Sequence, residues 1–173
     1  MNPVMRGAMR AGNRMGVRLY RWSGGRIGGR GADRVPVLLL TVPGRKSGQP
    51  RTTPVVTAEY NGKRYLIGTF GNVNWVRNLR TAGEATLTRG RRSEQISAVE
   101  LAPAESAPLL KELLSEPYSA RFMRGYFEVK PDSSLEEFER EAPRHPVFLV
   151  QSAAERANAA ARETLKSGSL QAQ

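Results

Sequence analysis

The segment PGRKSGQPRTTP, residues 43 to 54, gathers Arg45, Lys46 and Arg51 with the hydroxyls of Ser47, Thr52 and Thr53. That combination binds anions. A guanidinium grips phosphate or carboxylate in a bidentate fork, an ammonium adds a point charge, and Gly44 and Gly48 permit tight turns with close backbone approach. The G-x-x-x-x-G-K-[ST] order of a Walker A loop is absent. A solvated basic hairpin loop is the plain structural alternative, and it fits the same spacing.

A second candidate is IGTFGNVNWVRNL, residues 67 to 79, where a strand ends in small residues and a helix begins. Small side chains at Gly68, Thr69 and Gly71 would let a flat ring lie against backbone, and a helix start offers unpaired N–H groups to an oxygen. Trp75 reads first as a core aromatic that fixes the short helix. Asn78 reads as a polar residue with a duty, either toward a ligand or in tying down a loop.

Composition removes other chemistries. The chain has no cysteine and a single histidine, His145, so disulfides, thiolate nucleophiles, histidine metal cages and most catalytic triads are excluded and no metal site is expected. His145, between Arg144 and Pro146 ahead of a strand, reads as structural. The formal net charge is +11. Residues 1 to 34 carry +7, residues 35 to 101 carry +6 and residues 102 to 173 carry −2, so the positive field belongs to the part that holds both candidate segments. No apolar run reaches the ~18 residues of a membrane span, and no secretory h-region precedes the body. A cytoplasmic location is expected, with membrane association through residues 2 to 22 as one reading.

The elements that must position these residues follow from patterning. Residues 2 to 22 lack Pro beyond position 3 and repeat Arg6, Arg10, Arg14 and Arg18 at intervals of four, which predicts a basic amphipathic helix. Such a helix either packs on the body with its arginines solvated or lies on an anionic membrane. Nucleic-acid binding is disfavoured because aromatic interleaving is sparse. SGGRIGGRGAD, residues 23 to 33, reads as a Gly/Arg linker. Strands are predicted at 35 to 42, 52 to 60, 63 to 70, 84 to 89, 93 to 101 and 146 to 152, with Asn61-Gly62 and Gly90-Arg91 as turns. Helices are predicted at 74 to 80, capped by Asn72 or Asn74, at 102 to 116, at 118 to 127 and at 153 to 166. The sum is an α+β fold, a mainly antiparallel barrel of about six strands with flanking helices. Three regions are expected: a helical extension and linker at 1–34, a barrel domain at 35–152, and a helix with a disordered tail at 153–173.

LLLTVPGRKSGQPRTTPV, the Asn-Gly hairpin, YLIGTFG and NWVRNL together resemble the deazaflavin-dependent nitroreductase family, actinobacterial oxidoreductases that use coenzyme F420 in a split, FMN-binding-like β-barrel. The resemblance covers residues 35 to 101 and weakens beyond. It implies that Arg45, Lys46, Ser47, Gly48 and Arg51 hold the cofactor's phosphate and glutamate tail. Thr52, Thr53, Pro54 and Val55 would line the ring and ribityl chain, Ile67, Gly68, Thr69 and Phe70 would lie beside the ring, and Asn74, Trp75, Val76, Arg77 and Asn78 would close over it. Phe70 stands where relatives often carry Lys. The implied activity is hydride transfer from reduced F420 to a small electron-poor acceptor: a quinone, an activated alkene or a nitroaromatic ring. For proton delivery the resemblance turns attention to Tyr118 or Tyr126, with Thr69 orienting; both tyrosines read equally as amphipathic packing. An FMN-binding split barrel and a non-enzymatic lipid- or anion-binding module are the alternatives. Both monomers and homodimers occur among such barrels.

Overall fold

The computed structural model describes residues 16–20, 22–25 and 36–157, with the side chains of Tyr118 and Phe122 outside the description. Seven strands form one sheet: β1 Leu38–Pro43, β2 Pro50–Val55, β3 Thr57–Tyr60, β4 Lys63–Ile67, β5 Glu84–Arg89, β6 Arg92–Glu100 and β7 Val147–Ser152. Their order is β2-β1-β5-β6-β7-β4-β3, and all neighbours are antiparallel. Helices are α1 Asn74–Ala82, α2 Pro103–Ser115, α3 Pro117–Met123 and α4 Leu135–Glu141, with short 3-10 turns at Arg124–Tyr126 and Ala142–Arg144. This is the α+β, antiparallel barrel-like sheet with flanking helices expected from the patterning, in the split-barrel form that the resemblance implies.

The expected six strands become seven because residues 52 to 60 do not form one strand. Arg51 to Val55 pair with β1, whereas Thr57 to Tyr60 pair with β4, so the two pieces sit at opposite ends of the sheet order with Val56 alone between them. Pro54 lacks an N–H, which suits it to an edge strand such as β2. The chain thereby curls the sheet back on itself. The Asn61-Gly62 turn joins β3 to β4 as expected, with φ of 49° and 69°.

Alternation of side chains sorts the core into two sides. Leu38, Leu40, Val42, Leu66, Ala85, Leu87, Ile96, Ala98, Phe148 and Val150 face inward and meet Val76 and Leu79 of α1, which plugs the curl. Tyr65 and Val147, with the partly buried Ile67 and Leu149, face the other way and are covered by α2 and α4 through Leu110, Leu114 and Phe138. On that outer side of β1, Leu39 packs with Val17 and Tyr20 of the helical residues 16–20. The Tyr20 hydroxyl donates to the Val37 carbonyl at 3.0 Å and accepts from the Gly90 N–H at 2.9 Å. This part of the N-terminal segment therefore packs on the body with Arg18 exposed. Arg6, Arg10 and Arg14, most of the Gly/Arg linker, and residues 158–173 lie outside the described residues; 153–157 are helical.

Two local expectations change. Neither Asn72 nor Asn74 caps α1: the cap position falls on Val73, and the Asn72 side chain accepts from Arg80 instead. The strand expected to reach residue 70 ends at Ile67: the Gly68 N–H still bonds Pro146 O at 2.8 Å in register, but Pro146 has no N–H to continue the ladder. Helix α4, absent from the sequence reading, carries the reciprocal Ser134 and Glu137 capping box.

Candidate functional site

The loop between β1 and β2 is a compact turn. Gly44 N–H donates to Gln49 O at 2.9 Å, and the N–H groups of Ser47 and Gly48 both donate to Gly44 O. Gly48 adopts a φ of 65°, a left-handed conformation that a side chain would strain. Arg45, Lys46, Ser47 and Arg51 are all exposed. Asn78 of α1, only 5% exposed, reaches the loop: its Oδ1 accepts from the Arg45 backbone N–H at 3.3 Å and from the Arg45 guanidinium at 3.1 Å. The duty expected of Asn78 is thus, in this structure, to fasten the basic loop to the helix.

Register decides which neighbours join this site. Directly paired residues share a face, so Arg51, Thr53 and Val55 stand on the same side as Val42, Leu40 and Leu38, toward α1. Thr52 and Pro54 stand on the opposite side, where Thr52 and Thr41 share a hydrogen bond of 2.9 Å between their hydroxyls. The continuous stretch Thr52 to Val55 is therefore divided between two faces. Val55 and Val76 are core residues, leaving chiefly their backbone for any ligand.

About 6 Å along α1 from Asn78, at the helix start, lies the second cluster. Gly68 is buried where a Cβ would come within 3.0 Å of Val76 Cγ2 and 3.2 Å of Pro146 Cδ, which accounts for glycine there. Gly71 N–H closes the turn on Gly68 O at 2.7 Å, holding Thr69 half-buried and Phe70 63% exposed. The Phe70 ring meets Tyr126 edge to face, with centroids 4.7 Å apart, and Tyr126 is itself 53% exposed. Trp75 is half-buried against Phe148 and packs on the core, while Asn74 and Arg77 are exposed. Ile67 packs on the outer side under the helices. Tyr118 lies on α3, and its side chain is outside the described residues.

Sequence reasoning gave His145 no part in this cluster. His145 is 4% exposed, with Nδ1 3.0 Å from the Thr69 carbonyl and Nε2 3.1 Å from Glu141 Oε1, and it stacks on Phe127 at a centroid distance of 3.7 Å. The available signal was the four-residue spacing of Glu141 and His145 after the Ser134 capping box.

Three arginines elsewhere on the surface are held by carboxylates, whereas the loop's cations, like others such as Arg77, Arg89 and Arg92, are not paired with one among the described residues. Glu94 with Glu155 holds Arg64, Glu100 holds Arg80, and Glu128 with Glu141 holds Arg144; hydrogen bonding to those carboxylates raises each guanidinium further above its ordinary value. Among the described residues, Arg45, Lys46 and Arg51 have no carboxylate partner. A groove of about 220 Å³ lined by Arg80, Glu100, Leu101, Ser106 and Pro143 shares no residue with either cluster. No three described His, Asp or Glu side chains are grouped to hold a metal ion.

The sequence model of a family described as F420H(2)-dependent quinone reductase matches residues 12–124. Among solved structures, an F420-H2 dependent reductase called FDR-A is 21% identical, covering 67% of this chain and 94% of that one, with a TM-score of 0.45. A structure described as a domain-swapped dimer is 19% identical over 87% of this chain and 100% of that one, at 0.47. A NimC/NimA family protein from Clostridium acetobutylicum is 14% identical over 65% and 69%, at 0.43. No curated protein matches the chain.

Proposed function

Since the chain belongs to the F420H(2)-dependent quinone reductase family, making it an oxidoreductase that uses coenzyme F420, we propose that Arg45, Lys46 and Arg51 hold the cofactor's anionic groups and that the acceptor is a quinone. The observation that carries this reading is the basic loop itself: three exposed cations without carboxylate partners among the described residues, anchored through Asn78 to the helix that leads to Gly68–Phe70. These residues fit the group. Its phosphate and carboxylates need charge-assisted donors, and the loop supplies two guanidinium forks, an ammonium and the Ser47 hydroxyl.

When bound, reduced F420 supplies the hydride. The chain's own residues orient and shield. Arg51 and Thr53 share the α1 side of β2 and would follow the cofactor from its anionic end inward, while Thr69 and Phe70 are the residues of the Gly68–Gly71 turn that would lie beside the ring. Phe70 and Tyr126 form an exposed aromatic corner against which a planar acceptor can pack. The Tyr126 hydroxyl is a candidate to deliver the proton that a quinone requires after hydride uptake, with Thr69 orienting and Tyr118 as the second candidate.

A reading of the N-terminal segment as a membrane contact is favoured by one observation. Leu19 and Trp22 are 43% and 82% exposed beside the exposed Arg18, while Val17 and Tyr20 face the body. Among the described residues no helix is long and apolar enough to cross a membrane. Binding to anionic but not neutral vesicles, lost in Trp22→Ala, would bear this reading out; equal binding by both proteins would remove it.

The deciding experiment is a fluorescence titration with oxidised F420 beside FMN at two salt concentrations, followed by quinone reduction with reduced F420. Salt-sensitive F420 binding with turnover is expected. Preference for FMN would move the chain to a flavin branch, and binding of neither would remove the cofactor assignment.

A further inference from the structure

We infer that His145 is a positioning residue that holds the two aromatic walls of the acceptor corner in register. For its consequence in catalysis the inference rests on the reductase reading; the arrangement itself does not. Phe70 and Tyr126 come from segments distant in sequence and touch only edge to face. Each is followed or preceded by a residue that His145 holds. Thr69, next to Phe70, offers its carbonyl to Nδ1 at 3.0 Å, and Phe127, next to Tyr126, stacks on the imidazole at 3.7 Å with 16° between the planes. One buried ring therefore fixes the backbone of one wall and the packing of the other.

The hydrogen-bond inventory fixes the roles. A carbonyl oxygen only accepts, so Nδ1 must carry a hydrogen. Glu141 Oε1 faces Nε2 at 3.1 Å, and one further hydrogen lies between these atoms whichever of them bears it. Glu141 is in turn held from two sides: Oε1 accepts from the Glu128 N–H at 3.2 Å and Oε2 from Arg144 at 3.2 Å, and Arg144 is itself paired with Glu128. Glu141 thus keeps the ring oriented with Nδ1–H aimed at Thr69, the support that a buried imidazole needs to act as a fixed donor. The same segment grips the turn a second time through the Gly68 N–H and Pro146 O at 2.8 Å.

Because the chain has one histidine, a ¹⁵N-histidine sample of the full chain reports on this ring alone. A proton on Nδ1 is expected; a neutral ring protonated on Nε2 alone would overturn the inference. The nuclear Overhauser contact between the Phe70 and Tyr126 rings is expected in the parent and lost in His145→Gln, and its persistence would overturn the positioning role. In turnover with reduced F420 and 2-methyl-1,4-naphthoquinone, His145→Gln is expected to raise the quinone KM at least fivefold while the F420 Kd stays within twofold. Unchanged quinone KM and kcat would overturn the role. Should His145→Gln fail to fold, Phe127→Leu, which keeps the His145–Glu141 pair, carries the same expectations for the ring contact and KM. A parent that reduces no quinone while the ring contact depends on His145 would retire the reductase reading and leave the positioning intact.

Discussion

Arg45 is bound twice by the same atom of Asn78: one side-chain oxygen accepts both the backbone N–H and the guanidinium of Arg45. The loop is thereby fixed before any ligand arrives, and preorganisation reduces the ordering cost of binding. Asn78→Ala should weaken F420 binding about tenfold, the equivalent of ~1.4 kcal/mol. It should also lower the melting temperature, since a buried polar contact is lost. Titration and thermal melting of the same variant test both; unchanged affinity would show that the anchor is irrelevant to the ligand.

Lys46→Ala combined with Arg51→Ala should raise the F420 Kd by roughly tenfold or more and flatten its salt dependence, because charge-assisted contacts are the strong ones. The melting temperature should hardly move, as exposed substitutions stay within about 0.5 kcal/mol. Isothermal titration at two salt concentrations reads the first effect and calorimetry the second. Equal affinities would remove the loop from the binding site.

Tyr20→Phe keeps the ring against Leu39 but removes the hydroxyl that bridges Val37 and Gly90. It should cost about 1–3 kcal/mol, the usual consequence of leaving a buried donor unmade. Urea unfolding measures it. A change below about 0.3 kcal/mol would mean that water replaces the hydroxyl.

Phe138→Ala in α4 should destabilise by about 3–5 kcal/mol, the cost of emptying a fully buried aromatic site. Val99→Ala, on a side chain 61% exposed, should fall within about 0.5 kcal/mol. Chemical unfolding of both variants checks the contrast between the covered and the open parts of the sheet's outer side.

Acid should loosen the junction of β4 and β7. The Ser152 backbone N–H, then the Ser152 hydroxyl and Arg64, hold the Glu155 carboxyl below its ordinary value. A carboxyl lowered in the folded state adds stability above its unfolded pKa, and that stability is lost as pH falls through the folded value. Glu155→Gln should therefore lose a little stability near neutral pH and show a shallower decline on acidification. Urea midpoints from about pH 7 to about pH 3 read the difference; parallel curves would refute it.

Much of this fold was legible because short-range rules were met without conflict. Asn61-Gly62 between two strand-forming runs reads as a tight hairpin, and the nearly continuous apolar run at 35 to 42 reads as a buried strand, which in the structure buries Leu38, Leu40 and Val42 on one side and Leu39 on the other. The basic loop was legible as a candidate anion site for the same reason: its chemistry is local. The division of 52–60 was not, since residues 52 to 55 and 57 to 60 are both good strand formers and only their distant partners tell them apart. Thr52 and Thr53, grouped by the resemblance, stand on opposite sides of β2 as successive strand residues must. His145 was set aside because its three neighbours, Glu141, Thr69 and Phe127, converge only in the folded chain.

The single-residue link at Val56 has a further bearing on how this chain can vary. Both strands beside it are locked in register to different partners at opposite ends of the sheet. Removing that residue would leave no link and force one ladder to slip, and a slip of one place turns every side chain of that strand to the wrong side. Length at position 56 is therefore frozen in a way that length at 128–133, between Phe127 and the Ser134 cap, is not. Loop grafts belong at residues 130–132 of the latter segment, clear of Glu128 and its contacts to Glu141 and Arg144, and a variant shortened at Val56 would lose the barrel and the alignment of Arg51 with Arg45 in one step.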